Sequence, residues 1–289
     1  MVPYPPGGGS NTIARPLAQK LTESLGQQFV VENRGGASGN IGMEAVARAQ
    51  PDGYTLIFAL NAQLAVNVSL FKKIPYDPVR DYEPITQLGT GAYLLVVHPS
   101  LPVRSTKELI ALVRPRPGQI AYASSGNGSG GHLAAELLNT MAGIKMLHIP
   151  YKGGGPALID LLAGHVQVLF ATHLSSAPHM QSGRLRALAV STAKRAAGLD
   201  LPTIAEAAVP GYDSGVWYAV LAPAGTPRDI VVKLNGEIVR ALKQPDLRGM
   251  LTNNSIEPIG STPEQLGAYI RSEINKYAKV VKDANIQID

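Results

Sequence analysis

Cysteine is absent from the 289 residues. That excludes disulfides, thiolate metal sites and a cysteine nucleophile. It is neutral about compartment, because oxidising spaces permit disulfides without requiring them. Charge is sparse, at 16% of residues, and aromatics reach only 6%, with Trp217 the one tryptophan. No window holds the ~18 consecutive apolar residues of a membrane span. Lysine and arginine are scattered rather than interleaved with aromatics, so nucleic acid is not an expected partner. There is no G-x-x-x-x-G-K-[ST], which removes the P-loop. None of His98, His132, His148, His165, His173 and His179 forms an H-x-x-x-H pair with a carboxylate, so no metal site is expected.

What is present is apolar and glycine-rich. Hydrophobic residues make up 45% of the chain, enough for a sizeable core. The length suggests two domains. A net charge of +5 favours small anionic partners. The stretch Tyr122–His132 reads Tyr-Ala-Ser-Ser-Gly-Asn-Gly-Ser-Gly-Gly-His, between the strand pattern Ile120–Ser124 and the helical pattern His132–Ala142. Such a strand–loop–helix junction points bare backbone N–H groups at an anion. Tyr4-Pro5-Pro6-Gly7-Gly8-Gly9-Ser10-Asn11 has the same logic, again before a helical pattern. The expectation is that both loops face one small anionic ligand across a cleft.

The first helix is expected to run to Leu25, capped by Ser10 or Asn11, with Pro16 about its first turn. Phe29–Glu32 reads as a short strand, Ile41–Ala49 as a helix and Tyr54–Leu60 as a buried strand. Asn61 ends that strand, where open α/β sheets present ligand contacts, although a turn role fits as well. Leu88–His98 contains a strong strand. From Pro99 a new series begins. Thr106–Val113, His132–Ala142, Pro156–Ala163 and Ser176–Gln181 are helical; Ile120–Ser124, Lys145–Tyr151, Val166–Ala171, Leu185–Val190 and Trp217–Ala222 are strands. Thr172 follows one of them and either offers its hydroxyl to a ligand or caps a turn. Asp229–Leu242, Pro245–Asn253 and Pro263–Ala284 are helical, the last capped by Thr262. Alternating strands and helices argue for parallel, doubly wound sheets. Two series plus a helical tail give two α/β lobes, residues 1–98 with 223–289 and residues 99–222.

Several motifs carry rival readings. Gly126-Asn127-Gly128-Ser129-Gly130-Gly131 matches G-x-G-x-x-G, but the ribose-binding acid expected ~20 residues on is missing from His148–Gly153. A ligand-free glycine turn is the plain alternative. Ser129, His132 and Asp160 can be drawn as a triad, yet Ser129 and His132 sit three residues apart on a turn; Ser129 as helix cap is the simpler reading. Tyr151-Lys152-Gly153-Gly154-Gly155-Pro156 is either a further N–H-rich wall or a tight connection.

Taken as an ordered set, these residues resemble a known family. They are Pro3–Ser10, Val31-Glu32-Asn33-Arg34, Gly39-Asn40-Ile41-Gly42, Pro51–Leu56, Pro75-Tyr76-Asp77-Pro78, Gly128-Ser129 with His132-Leu133, and Pro150-Tyr151-Lys152-Gly153. Arg186–Val190, Leu201-Pro202-Thr203 and Ala222–Pro227 complete the set. The chain resembles the Bug-type substrate-binding proteins of tripartite tricarboxylate transporters. The resemblance implies a type II periplasmic-binding-protein fold, two lobes that close on a small carboxylate, delivery to membrane permease subunits, and a monomer in the periplasm. A sensor-coupled receptor is the alternative role; an NAD(P)-linked or hydrolytic enzyme is a more distant one. The expected protein is not an enzyme and carries no cofactor. The ligand residues implied are Tyr4, Pro6, Gly7, Gly8, Gly9, Ser10 and Asn11 in one lobe, and Ser125, Gly126, Asn127, Gly128 and Ser129 in the other. Asn61 and Thr172 would help set specificity. The family normally has a leader peptide and a longer first strand than this chain shows. It commonly has Asp where this chain has Asn11, and some members have Asp where this chain has Ala171. Without those acids nothing anchors a ligand ammonium, so a non-amino-acid carboxylate is expected: a dicarboxylate, a hydroxy acid or an aromatic acid.

Overall fold

The computed structural model describes residues 1–196 and 198–283. Contacts divide the chain into unit 1, Met1–Thr90 with Trp217–Asp289, and unit 2, Gly91–Val216. The sequence reading drew its crossings at prolines, after residues 98 and 222. The division instead falls inside two long strands, which carry the backbone from one unit into the other without a break.

The first segment runs through α1 (Gly9–Leu25), α2 (Asn40–Ala47), β1 (Ile57–Leu60), a π-helical turn (Ala62–Val66), α3 (Asn67–Leu70) and β2 (Tyr82–Val97). The middle segment holds α4 (Thr106–Val113), β3 (Ala121–Ser124), α5 (Gly130–Ala142), β4 (Leu147–Pro150), α6 (Gly154–Leu162) and β5 (Val168–Thr172). It continues through α7 (His173–Gln181), β6 (Arg186–Val190) and α8 (Ile204–Ala207). The last segment comprises β7 (Gly215–Pro223), α9 (Arg228–Lys243), α10 (Pro245–Asn253), β8 (Ile256–Pro258) and α11 (Pro263–Asp283). Ala284, the expected end of the last helix, lies outside the described residues. No helix among the described residues is long and apolar enough to cross a membrane.

In unit 1, β1 pairs antiparallel with β7, from Ile57 opposite Leu221 to Leu60 opposite Tyr218. Helix α1 buries Ile13, Leu17 and Leu21, a 3.6-residue stripe, and packs on α9, whose buried stripe is Val231, Leu234 and Ile238. Helix α11 packs on the π-helical turn and on α3. Thr262 begins α11 with a reciprocal cap: its hydroxyl accepts from Gln265 N–H at 3.2 Å, and Gln265 Oε1 accepts from Thr262 N–H at 2.9 Å.

Unit 2 has the strand order β6–β2–β5–β3–β4. The pairs β3–β4 and β3–β5 are parallel, joined through the crossover helices α5 and α6. The pairs β2–β5 and β2–β6 are antiparallel. The expectation of purely parallel sheets is therefore corrected to a mixed sheet. Its reason is β2, which enters from unit 1 and not through a helix crossover of unit 2. Ala92, Leu94, Val96, Leu169, Ala171 and Val190 pack with Leu158 and Leu161 of α6 in one core.

Three local expectations fail. Phe29–Glu32 forms no strand; only Asn33 bridges, to Val2. Pro16 lies inside α1, well past its first turn. The cap of α1 is Gly8, with no side-chain cap, and both Ser10 and Asn11 stand within the helix.

Candidate functional site

Unit 1 presents the first glycine loop at the start of α1. Gly7 takes φ 92°, a left-handed value that side chains avoid, and Gly8 is extended. Asn11 N–H donates to Gly8 O at 3.1 Å. The N–H groups of Gly7, Gly8, Gly9 and Ser10 have no partner among the described residues. The first turn of α1 also contains no acidic residue, so nothing within the helix offsets its N-terminal partial positive charge.

Buried carboxamides fix this loop. Asn11 Nδ2 donates to Pro5 O at 3.1 Å, while Asn33 Nδ2 donates to Asn11 Oδ1 at 2.9 Å and to Tyr4 O at 2.6 Å. Asn11 is thus an internal clasp of the loop. Gln63 is a second one. Its Nε2 donates to Tyr4 Oη at 2.6 Å and to Ser38 O at 2.7 Å, and its Oε1 accepts from Leu60 N–H at 3.1 Å. One side chain therefore ties the first loop, the backbone at Ser38 and the end of β1 together. Burial pushes the Tyr4 phenol up to about 12, so it stays protonated. The network extends to Asn40, Asn67 and Tyr76: Asn67 Nδ2 donates to Asn40 Oδ1 at 2.6 Å, and Tyr76 Oη donates to Gln63 O at 2.8 Å. Gln63 was not singled out from sequence, because Ala62–Val66 reads only as an apolar run with one amide in it.

Unit 2 presents the second loop at the start of α5. Ser129 caps α5, its hydroxyl accepting from His132 N–H at 3.4 Å, as the simpler sequence reading expected. Much of the loop's backbone is internally satisfied. Gly126 N–H donates to Ser124 Oγ at 3.2 Å, Ser129 N–H to Gly126 O at 3.0 Å, and Gly128 N–H to His132 Nδ1 at 3.0 Å. The N–H groups of Ser125, Gly130 and Gly131 remain without a partner among the described residues. The first turn of α5 again lacks an acidic residue. Gly130 and Gly131 are glycines for packing reasons. A Cβ on Gly130 would collide with the Tyr93 hydroxyl of β2, and one on Gly131 would come within 2.9 Å of Phe170 O on β5.

Behind this loop three rings stack. Tyr122 and His148 have centroids 4.8 Å apart, and His148 and His132 4.1 Å. Parallel pairing sets Tyr122 of β3 beside His148 of β4, which is how residues 26 apart in sequence share one face. His148 Nε2 lies 2.6 Å from Ser124 Oγ. Burial lowers His132 to about 3, aided by the neighbouring His148, and burial alone lowers His148 to about 4. Both rings are neutral at ordinary pH. Singly, each histidine reads from sequence as a packed or surface residue; only the strand register reveals the stack.

The remaining expected residues are placed as follows. Asn61 is buried just past β1, and its Nδ2 donates to Tyr277 Oη at 3.1 Å. Thr172 ends β5 and precedes α7, its hydroxyl 3.1 Å from Ser175 Oγ. Pro6 is exposed, and Ser125 and Asn127 are half-buried. The third glycine stretch starts α6 at Gly153, and Tyr151 N–H donates to Ser124 O at 3.0 Å, which ties it to the second loop. The triad drawn from Ser129, His132 and Asp160 is not assembled. Asp160 instead accepts from Tyr151 Oη at 2.6 Å and sits 3.5 Å from His165, while His132 Nδ1 accepts from backbone. No group of three or more potential metal ligands exists among the described residues.

Each of the two α/β units thus carries a glycine loop before a helix whose first turn holds no acid, an arrangement whose N–H groups and partial positive charge favour an anion. The sequence model described as "Tripartite tricarboxylate transporter family receptor" matches residues 13–286, and the chain belongs to that family. BugT of Bordetella pertussis is 39% identical, over 100% of this chain and 89% of the relative. Rpa4515 of R. palustris, solved with adipate, is 40% identical with a TM-score of 0.96, covering 99% of this chain and 96% of that one. MatC from Rhodopseudomonas palustris, solved with bound malate, is 32% identical with a TM-score of 0.92, covering 97% of each chain. The fold is that of the two-lobed, Bug-type periplasmic binding proteins.

Proposed function

We propose that the chain is an extracytoplasmic receptor that captures a small dicarboxylate between its two units and hands it to membrane permease subunits. The observation that carries this is the pair of glycine-led helix starts, α1 and α5, with unpaired N–H groups and no acid in either first turn. Gly7, Gly8, Gly9 and Ser10 would hold a carboxylate in unit 1, and Ser125, Asn127, Gly130 and Gly131 would approach it in unit 2. Tyr4, Asn11, Gly126, Gly128 and Ser129 would shape the two loops, and Asn61 and Thr172 would lie deeper and discriminate among solutes. Neutral donors suit an anion that must be released again, because no buried ion pair has to be broken. Ala171 is buried and apolar, and the side chain of Asn11 is engaged inside its own loop, so neither position offers an anchor for a ligand ammonium. The adipate and malate found with the two relatives fit a ligand of this class.

A thermal-shift panel tests the proposal, with adipate, malate and aromatic acids against amino acids, sugars and NADP. A dicarboxylate at a hundredfold excess over its Kd should stabilise the protein by about 2.7 kcal/mol. A shift with amino acids or NADP only would overturn it.

A further inference from the structure

The second loop depends on one unusual acceptor. Gly128 N–H points at a ring nitrogen, His132 Nδ1, at 3.0 Å. That bond requires a lone pair on Nδ1. A protonated ring would set an N–H donor against another N–H donor. The surroundings keep the lone pair in place. His132 is buried, and the flat face of His148 covers it at 4.1 Å between centroids.

The one carboxylate on the same helix that could draw a proton onto His132 is Glu136, one turn along α5. It is engaged elsewhere. Its Oε1 accepts from Tyr122 Oη of β3 at 2.5 Å and from Asn139 Nδ2 at 3.1 Å. The group facing His132 from β4 is His148, whose Nε2 meets the Ser124 hydroxyl. Ser124 Oγ in turn accepts from Gly126 N–H. Two alternate N–H groups of the loop, those of Gly126 and Gly128, are therefore turned inward onto Ser124 and His132. The N–H groups of Ser125, Gly130 and Gly131, on either side of this inward-turned stretch, keep no partner among the described residues.

We propose that His132 is the positioning residue of the second loop: its Nδ1 fixes the Gly128 N–H, and so aims the backbone that receives the carboxylate, with the His148 ring stacked over it. This rests on the dicarboxylate reading above. His132 need not touch the ligand; it acts through Gly128.

The experiment uses the full chain with adipate as probe, and compares wild type, His132→Leu and His132→Asn by calorimetry. Asparagine keeps an acceptor near the Nδ1 position, and leucine does not. His132→Leu is expected to lose about tenfold in affinity, the equivalent of losing one hydrogen bond's worth of ordering. His132→Asn is expected to stay within about threefold of wild type. Equal affinity in all three overturns the proposal. A second measurement on unaltered protein keeps it testable if the leucine variant does not fold. A through-hydrogen-bond 15N–15N coupling should link Gly128 N to His132 Nδ1, and the imidazole should remain neutral at pH 5.5. Absence of the coupling, or an imidazole titrating near 6.5, overturns the proposal by itself. If wild type ignores adipate and every other carboxylate while the coupling is present, the ligand reading falls and the loop-positioning bond stands.

Discussion

In unit 1 the glycine loop before α1 is held by carboxamides: Asn11, Asn33 and Gln63 donate to and accept from backbone and the Tyr4 phenol. In unit 2 the loop before α5 is held by imidazoles stacked on Tyr122. Carboxamides do not titrate, so the first loop keeps its hydrogen bonds at any moderate pH. Imidazoles do, and the Gly128 bond of the second loop holds only while His132 keeps its Nδ1 lone pair. The glycines differ too. Gly8 has open space where a Cβ would go, whereas Gly130 and Gly131 are pressed against Tyr93 and Phe170. The same sequence signature, glycines before a helix, thus arises from an open loop in one unit and from tight packing in the other.

The comparison can be broken most severely at Gln63. Gln63→Leu strands the Tyr4 hydroxyl, Ser38 O and Leu60 N–H, all of which this side chain satisfies. Destabilisation of about 3 kcal/mol is expected in urea unfolding, since each stranded buried group costs about 1–3 kcal/mol. A loss below 0.5 kcal/mol would show that the hub is dispensable. Gly130→Ala comes next, at about 2 kcal/mol, because the new methyl must displace Tyr93. Gly8→Ala, the matched change in the open loop, should stay within about 0.5 kcal/mol. Equal losses at the two glycines would erase the distinction drawn between them.

Acid supplies a further separation. His132 and His148 titrate at about 3 and 4 in the folded chain, below the ordinary value of 6.5. The unfolded chain therefore takes up protons first, and stability falls as pH drops from about 6.5 toward 4. Above 6.5 that contribution is fully present. Unit 2 should loosen before unit 1 on acidification. Gly128 amide exchange reports on the one, and fluorescence of Trp217, whose indole N–H donates to Glu273 at 2.9 Å, reports on the other. Loss of the Trp217 signal at higher pH than Gly128 protection would contradict the assignment.

Much of this architecture was legible in the chain. Helices α4 and α10 have the bounds the sequence suggests, because Ser105 caps one and Pro245 opens the other. The β3–α5–β4–α6–β5 series was readable from its alternating periods. Where reading failed, a tertiary partner decided. Val30 is 74% exposed, and among the described residues the one backbone-to-backbone bond from Phe29–Glu32 to a neighbouring segment is Val2 N–H to Glu32 O at 2.8 Å, so a strand-like pattern ends as a single bridge at Asn33. Asn11 reads as a helix cap, but it stands inside α1 and its amide is bonded to Pro5 and Asn33. The antiparallel course of β2 could not be inferred from local periodicity, because it is set by a strand shared between two units. At the candidate site the glycine loops were visible, whereas Gln63 and the His132–His148 stack were not. Their roles depend on register and burial, which no spacing rule encodes.

The central claim is tested most directly by a crystal structure with adipate. The account predicts one carboxylate of the ligand within hydrogen-bond distance of the Gly8, Gly9 or Ser10 N–H groups, with Ser125, Gly130 or Gly131 N–H also reaching the ligand. Adipate bound with neither helix N-terminus touching it would contradict the account.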